Sequence, residues 1–340
     1  MNRMYVMGIF ILLFSFSALS ATAQQQEPSA DRLENRFKTD IFNLGILLQS
    51  EAVFSFDEDD DFNGGRKFDL GATRLDIRGN ADNGFMYRLQ LDFRRQTSVL
   101  DAQVGYRFSD NMRMIAGAYK PDLSADLDPN PGNTDFMNRA RQVGAMMNSR
   151  EIGLTLLGEP GSFYYRFGMY NGTGLSRSND NRFMYTTRLG YTADLNGGSL
   201  ELGINGAYDE TRFNSVGNTG LVSLGDRVLY GAFIKLDTST LFGTAEILQT
   251  VFDADEFGGR EETITGFYAT LGSNISSKDQ LLIRWDYLDF NLRGDSTDLI
   301  TAGWNHQATR LISFQLNLLA LLEEDEDTRF GLSGVMQFQF

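Results

Sequence analysis

The chain has 340 residues, of which 30 are Lys or Arg and 45 are Asp or Glu, so its formal net charge is −15. This acidic balance argues against a nucleic-acid partner, because binding to phosphates requires a basic surface. The sequence has no cysteine and a single histidine, which excludes disulfides, thiolate metal sites and multi-histidine metal sites, and we expect no cofactor. The 35 Gly, 27 Phe and 13 Tyr against 5 Pro predict an all-β chain with tight turns.

The beginning of the chain has the organisation of a secretory signal peptide over residues 1–23. Arg3 precedes an almost wholly apolar run at 5–19, and the tripeptide Ala-Thr-Ala that ends at Ala23 fits the small-residue cleavage rule. Gln24 is therefore expected to begin the mature chain. The alternative is an uncleaved membrane anchor, but a run of about 15 residues is shorter than the roughly 20 that a spanning helix needs.

Apolar and polar residues alternate along the rest of the chain. Residues 85–94 read Phe-Met-Tyr-Arg-Leu-Gln-Leu-Asp-Phe-Arg, and a period of two recurs at 163–169, 281–287, 312–318 and 330–340. Successive side chains of a strand point to opposite faces, so each of these segments predicts a strand with one apolar and one polar face. A soluble sandwich and a membrane barrel both have this pattern.

The connections between the predicted strands favour the barrel. We predict about sixteen strands, with roughly 14 to 18 as the range left open. The predicted spans are 41–56, 68–78, 85–95, 100–108, 112–119, 150–157, 162–170, 183–193, 199–208, 228–236, 239–252, 263–271, 279–290, 299–306, 310–321 and 328–340. Short turns follow the even strands and mostly long, polar loops follow the odd ones, which is the arrangement of an outer-membrane barrel and is not required by a sandwich.

The predicted fold class is thus all-β, a transmembrane antiparallel β-barrel. It divides the chain into a signal peptide at 1–23, a periplasmic N-terminal segment at 24–39 and an outer-membrane barrel at 40–340. Both termini are then expected in the periplasm of a Gram-negative bacterium, with lipid and lipopolysaccharide around the barrel. The final residue, Phe340, looks like the C-terminal signature of outer-membrane proteins.

A barrel of about sixteen strands leaves an aqueous channel, so its default function is passive diffusion of small hydrophilic solutes. The longest connection, 120–149, is a candidate constriction loop, because long loops without regular structure are usually functional or disordered. Its basic residues Lys120, Arg139 and Arg141 are candidates for an anion path, where they would raise the local concentration of small anions.

Charged side chains of both signs are predicted on the inward face of the strands. The basic ones are Arg74, Arg78, Arg88, Arg94, Arg107, Arg166, Arg188, Lys235, Arg284 and Arg329. The acidic ones are Asp76, Asp92, Asp101, Glu151, Glu201, Glu246 and Asp286. Two interpretations stay open: cross-strand ion pairs that stiffen the wall, or a modest basic excess that guides anions.

Four segments resemble the phosphate-selective porin O/P family: residues 117–121, 136–139, 150–158 and 165–172. They read Gly-Ala-Tyr-Lys-Pro, Phe-Met-Asn-Arg, Arg-Glu-Ile-Gly-Leu-Thr-Leu-Leu-Gly and Tyr-Arg-Phe-Gly-Met-Tyr-Asn-Gly. The resemblance implies a homotrimeric, sixteen-stranded porin whose third loop folds into the barrel. It also implies Lys and Arg residues along an anion or phosphate path, and by position these correspond to Lys120 and Arg139.

A weak calcium-site candidate lies in the first long loop. Asp59, Asp61 and Asn63 have the spacing that opens a Ca²⁺-binding loop, but Leu70 stands where the Glu at position twelve is expected. We favour a flexible acidic loop that divalent cations bridge to lipopolysaccharide, and therefore expect no metal site.

Two further functions remain as alternatives. An adhesin or structural barrel would have a plugged lumen, and an outer-membrane lipid hydrolase would need His306 as its general base. His306 shares strand parity with Trp304 near a strand end, which favours a place in the interfacial aromatic belt. We therefore predict that the protein is not an enzyme.

Overall fold

A computed structural model describes residues 28–39, 41–56, 62, 65–176, 179, 181–210, 213–323 and 327–340. The predicted signal peptide at 1–23 lies outside the described residues. So do Asp59, Asp61 and Asn63 of the calcium candidate.

Sixteen antiparallel strands form a closed barrel, as the sequence predicts, with each strand paired to the next in the chain. The last strand pairs with the first from Leu47↔Gln339 to Ser55↔Gly331, which closes the ring. A two-residue strand, Asn214–Ser215, pairs with Val222 and Ser223 at the start of the tenth barrel strand. The barrel strands are β1 Asn43–Ser55, β2 Arg66–Asn80, β3 Phe85–Asp92, β4 Ser98–Ser109, β5 Met112–Tyr119, β6 Glu151–Gly158, β7 Phe163–Tyr170, β8 Met184–Leu195, β9 Gly198–Asp209, β10 Val222–Thr238, β11 Leu241–Ala254, β12 Arg260–Asn274, β13 Asp279–Phe290, β14 Asp295–Gln307, β15 Ile312–Glu323 and β16 Arg329–Gln339.

The apolar faces of the strands point outward, whereas in a soluble sandwich they point into the core. On β13, Ile283 and Trp285 are 50% and 48% exposed. The alternate residues of the same strand, Arg284 and Asp286, are 2% and 1% exposed. A protein that buries its charges and exposes its aliphatic and aromatic side chains is suited to lipid outside and a polar lumen inside. This inversion decides between the two architectures that the alternation alone leaves open.

The two rims of the barrel differ in their connections. The terminal rim carries the start of β1, the end of β16 and short turns of two to four residues: 81–84, 110–111, 159–162, 196–197, 239–240, 275–278 and 308–311. The opposite loop rim carries most of the long connections. Three loops there are clearly shorter than predicted, 210–221, 255–259 and 291–294, because the backbone ladders of β10, β12 and β14 continue through mostly polar residues.

Aromatic rings line the outside of the terminal rim. Phe85 and Tyr106 have ring centroids 4.9 Å apart, and those of Phe163 and Tyr191 lie 4.8 Å apart. Such rings are suited to a membrane interface, where one side of the ring meets apolar chains and the other meets water.

Helices are few. They comprise α1 Pro28–Phe37, α2 Arg141–Met146 and the short 3₁₀ segments Asp82–Gly84, Pro131–Asn133 and Asp255–Phe257. In the described part of the chain, no helix combines the length and the apolar character needed to cross a membrane.

Helix α1 packs against the end of the last strand. The Phe37 ring stands edge-on to the Phe340 ring at 6.0 Å, and Lys38 Nζ lies 5.1 Å from the Phe340 centroid. At the other end of the helix, Asp31 pairs with Arg310 in the turn between β14 and β15. Phe340 is consequently only 9% exposed, although it continues the outward-facing row of β16.

We expect Phe37→Ala to lower the unfolding temperature of the barrel in detergent, followed by circular dichroism. An edge-to-face aromatic pair contributes about 1 kcal/mol beyond the area it buries. The matched control is Phe42→Ala, which removes a more exposed ring from the same segment. Equal unfolding temperatures for Phe37→Ala and the control would contradict a specific role of the Phe37–Phe340 pair.

Candidate functional site

The connection between β5 and β6, residues 120–150, folds into the barrel and contacts the inward faces of most strands. Its apolar side chains pack against those of the wall to form what we term the loop core. The loop core comprises Leu123, Leu127, Val143, Met146, Leu248, Phe252 and Ile264, each at most 4% exposed. This burial holds the loop against the wall on the β10–β13 side of the lumen.

The first half of the loop is tied to β7 and β8 by ion pairs. Asp122 pairs with Arg166, and Asp128 pairs with Arg188. The Arg188 guanidinium also lies 4.4 Å from the centroid of the Phe233 ring on β10. Two of the predicted lumenal arginines therefore bind the loop.

Further along, uncharged amide side chains of the wall hold the loop backbone. Gln49 Nε2 donates to the Pro131 carbonyl at 3.2 Å, and Gln337 Nε2 donates to Gly132 O at 2.9 Å. On the neighbouring strands, Gln315 Nε2 donates to Thr134 O at 2.7 Å, Asn305 Nδ2 donates to Asp135 O at 2.9 Å, and Asn317 Oδ1 accepts from Met137 N at 3.0 Å. Successive backbone groups of the loop thus obtain partners although the loop belongs to no sheet, as buried backbone groups require.

The returning half of the loop lies on β13 and β14. Arg284 Nη2 donates to Asn138 O at 3.0 Å, and its guanidinium lies 4.7 Å from the Phe136 ring centroid. A side chain at Gly303 would come within 2.9 Å of the Phe136 ring, so this glycine makes room for it. Asp286 Oδ1 accepts from Arg141 N at 3.1 Å, at the start of α2.

Lys120 and Arg139, two candidates for the anion path, bind the backbone of their own loop. Lys120 Nζ donates to the carbonyls of Leu127 at 2.8 Å, Asp128 at 3.2 Å and Pro129 at 2.7 Å. Three acceptors match the three N–H groups of the charged ammonium, since a neutral amine has only two. The Arg139 guanidinium donates to two further carbonyls, those of Asp126 and Pro129.

Burial disfavours the charged form of both residues. It lowers the pKa of Lys120, and the positive charges of Arg139, Arg150 and Arg74 lower it further. Burial also lowers the pKa of Arg139. Lys120 and Arg139 share the Pro129 carbonyl, and on the wall Arg150 pairs with Asp101 of β4 while Arg74 pairs with Asp92 of β3.

Arg141 lies apart from this group. Its Nη1 is 3.4 Å from the Thr297 carbonyl, and burial lowers its pKa while Asp286 and Glu323 raise it. The structure therefore brings together Lys120 and Arg139 but places Arg141 beside an acidic sector near β13 and β14.

Most described lumenal arginines of the wall are ion-paired. Arg74 pairs with Asp92 at 3.3 Å, and Arg88 pairs with Asp76 at 2.8 Å and with Asp101 at 3.2 Å. On other strands, Arg284 pairs with Asp286 at 2.6 Å, and Arg329 pairs with Glu323. These contacts favour the ion-pairing interpretation for these arginines, while roles along an anion path stay a prediction.

The remaining predicted pore-lining cations are exposed. Arg78, Arg107 and Lys235 lie on β2, β4 and β10. Arg94 lies beyond β3, which ends at Asp92 rather than at residue 95 as predicted, and its backbone N–H bonds to Asp92 Oδ1 at 2.8 Å. The strand ends early because the Asp92 side chain caps the turn instead of continuing the alternation.

Arg150 binds the lumenal wall although it is not among the site residues that the sequence predicts. Its Nε donates to Asp101 Oδ1 at 2.7 Å and its Nη2 to Gln90 Oε1 at 3.0 Å, so it reaches across β5 to strands β3 and β4. It is 6% exposed. Its position at the end of the long loop, as the first residue of the Arg-x-x-Gly motif, is the signal that could have identified it.

His306 is at the terminal rim, in the aromatic belt. Its ring stacks on Trp304 with centroids 5.5 Å apart, and its Nδ1 lies 2.8 Å from Asp279 Oδ1. Ser276 Oγ donates to the other oxygen of Asp279, at 2.7 Å, and does not bond to the imidazole. A nucleophilic serine would need that imidazole contact, so this cluster lacks the geometry of a hydrolase triad.

Comparisons with known proteins agree with this architecture. A family model described as phosphate-selective porin O and P matches residues 44–340, and no curated protein matches the chain. OprB of Pseudomonas putida has a TM-score of 0.68 at 11% identity, covering 92% of this chain and 96% of that chain. The outer membrane channel DcaP of Acinetobacter baumannii has a TM-score of 0.64 at 10% identity, covering 88% and 97%. In-vitro folded OmpT of Vibrio cholerae, in trimer form, has a TM-score of 0.62 at 10% identity, covering 88% and 99%. At such identities the likeness shows a shared fold.

We expect Lys120→Met to loosen the loop, because each buried carbonyl that loses its partner costs on the order of 1–3 kcal/mol. Amides between residues 121 and 139 should then exchange hydrogen for deuterium faster in detergent-solubilised protein, as measured by mass spectrometry. The control is Lys235→Met, which removes an exposed lysine of β10. Unchanged exchange in Lys120→Met would show that the three carbonyl contacts do not hold the loop.

Proposed function

Because the chain belongs to the phosphate-selective porin O and P family, it is a porin of the bacterial outer membrane, and we propose that it passes small hydrophilic solutes by passive diffusion with a preference for anions. A porin is a channel rather than an enzyme. The observation that carries the anion preference is the set of cations on the inserted loop and the wall: Lys120 and Arg139 share the Pro129 carbonyl, Arg150 pairs with Asp101, and Arg74 pairs with Asp92.

Pairing does not remove these arginines from contact with solutes. A guanidinium has five N–H donors, and one carboxylate uses at most two of them in a bidentate pair. Arg150 donates one N–H to Asp101 and one to Gln90, and Arg74 donates one to Asp92. A passing anion can be bound by the remaining donors, while the neighbouring carboxylates keep binding weak enough for release, as conduction requires.

The four cations act as a group on the local potential. We place them in the part of the lumen that the inserted loop narrows, where low-dielectric walls focus the field and raise the local anion concentration. Phosphate and other small anions are the solutes that this chemistry favours. The acidic net charge of −15 does not oppose this, because much of it lies in connections at the loop rim.

We also propose that the termini are periplasmic and that the porin is a homotrimer. Strands β3, β5, β6 and β7 have eight residues each, whereas β10 has 17. At about 3.3 Å per residue and a tilt of about 40°, eight residues span about 20 Å, less than the apolar band of about 25 Å. We term β3 to β7 the low sector, because most of these strands are too short to cover the apolar band of the membrane. This sector is suited to contact with another copy, and OmpT of Vibrio cholerae provides a trimeric example of the fold.

The anion preference is tested by the reversal potential of single channels in a KCl gradient across a planar bilayer. We expect anion selectivity for the wild type and a shift toward cations for Arg150→Gln, which removes a charge but keeps hydrogen-bonding capacity. Arg107→Gln, an exposed position near the terminal rim, is the control and should leave the potential unchanged. Clear cation selectivity of the wild type would overturn the preference, and an absence of current steps would overturn the porin function.

The trimer is tested by native mass spectrometry in detergent. Ala116 faces outward on β5, within the low sector, and Ala232 faces outward on β10. We expect Ala116→Trp to convert trimers to monomers by overfilling the subunit contact, whereas Ala232→Trp faces lipid and should remain trimeric. A monomeric wild type, or equal behaviour of the two variants, would contradict the proposed assembly.

A further inference from the structure

Glu246 on β11 is the meeting point of four hydrogen-bond donors. Its Oε1 accepts from Ala125 N at 2.9 Å and from Asn205 Nδ2 at 3.1 Å. Its Oε2 accepts from Ser124 Oγ at 2.6 Å and from Gln142 Nε2 at 2.9 Å. The side chain is 1% exposed, so these contacts replace the water that an ionised carboxylate would otherwise bind.

Three of the four donors come from the two halves of the inserted loop. Ser124 and Ala125 belong to the segment that leaves β5, and Gln142 belongs to α2 in the segment that returns to β6. Asn205 is on β9, which pairs with β10. One wall side chain therefore binds the outgoing and the returning segments at the same place.

The wall at this point is shaped to receive the loop. A Cβ at Gly266 on the adjacent strand β12 would lie 2.4 Å from Gln142 Cβ, so only a glycine lets α2 approach this closely. The contacts of Glu246 with the loop are thus accompanied by close packing on the next strand.

Apolar side chains of the loop core flank Glu246 and its loop donors along the chain. Leu123 and Leu127 lie in the outgoing segment of the loop, and Val143 and Met146 lie on α2. Leu248 is the next inward-facing residue of β11 after Glu246. All five belong to the loop core. In such surroundings charge-assisted hydrogen bonds are strong, and loss of the carboxylate would leave several buried donors without an acceptor.

We propose that Glu246 is the positioning residue that sets the width of the pore, by fixing both segments of the inserted loop to the wall. Solutes do not contact this carboxylate. It acts through the position of the loop that carries Lys120 and Arg139, so the narrowest cross-section of the lumen depends on it. This inference rests on the proposed channel function.

The test compares single-channel conductance and open-channel current noise in planar bilayers for the wild type, Glu246→Ala and Glu246→Gln. For Glu246→Ala we expect the mean conductance to shift outside the wild-type spread, with a rise in noise, because the loop is no longer held. For Glu246→Gln we expect values near the wild type. Its amide oxygen can keep the contacts with Ala125 and Asn205, and Gln142 can turn its Oε1, which has no hydrogen-bond partner among the described residues, toward the new N–H.

Glu262→Ala is the matched control. Glu262 is a buried acid on β12 whose carboxylate accepts backbone N–H groups from Thr263 at 2.9 Å, Leu292 at 2.9 Å and Arg293 at 3.0 Å, at the loop rim. Its loss should affect stability while leaving conductance unchanged.

If Glu246→Ala does not insert into membranes, the double variant Ser124→Ala/Gln142→Ala gives the same test, because it keeps the carboxylate and removes two loop donors. Wild-type conductance and noise in Glu246→Ala, or in this double variant, would overturn the role of Glu246. A shift of equal size in Glu262→Ala would overturn it as well. An absence of current steps in the wild type would instead overturn the channel function on which the inference rests.

Discussion

The structure depends on the satisfaction of backbone hydrogen bonds in a medium without water. Within lipid, each unpaired N–H or C=O group costs several kcal/mol, so a sheet that crosses the membrane can have no free edge. The pairing of β16 with β1 over nine registered residue pairs removes the last edges. Once the ring is closed, alternate side chains must face either lipid or lumen, and the exposed apolar outer surface follows from that.

The same requirement governs the loop inside the lumen, which belongs to no sheet. Its backbone obtains partners from inward-facing amides such as Gln315 and Gln337, and from the ammonium of Lys120. Neutral amides supply hydrogen bonds without adding charge to the pore. Lysine and arginine add charge as they bind, so a cation can hold the loop and shape the lumenal potential together.

The charged side chains and their ion pairs differ between the two sides of the lumen. On the β2–β4 side, Arg74, Arg88 and Arg150 alternate with Asp92, Asp76 and Asp101, and the loop cations lie opposite them. On the β13–β14 side, Asp286 receives the start of α2 and Arg141 lies beside acidic residues. The two sides of the lumen thus present different arrangements of charged side chains.

Strand number and the two unequal rims were predictable, because period-two alternation and turn residues are local properties of the chain. The ends of β12 and β14 at the loop rim were not predictable. Polar residues outside the apolar band continue the backbone ladder there, and the sequence shows no change in polarity that marks the end of the strand. Lys120 and Arg139 are candidates from the sequence because they lie in the longest connection. Arg150 was overlooked because its importance comes from Asp101 and Gln90, on strands two and three positions away around the barrel.

The sequence by itself determined the alternation, the strand count and which residue types face the lumen, since these follow from neighbours one or two positions apart. Only the tertiary structure decided what those residues bind. Gln49 and Pro131 are 82 positions apart, and Ser124 and Glu246 are 122 positions apart. Such pairs form when the closed barrel brings the loop against its inner wall, and no local pattern encodes which of several lumenal acids or amides will lie within bonding distance.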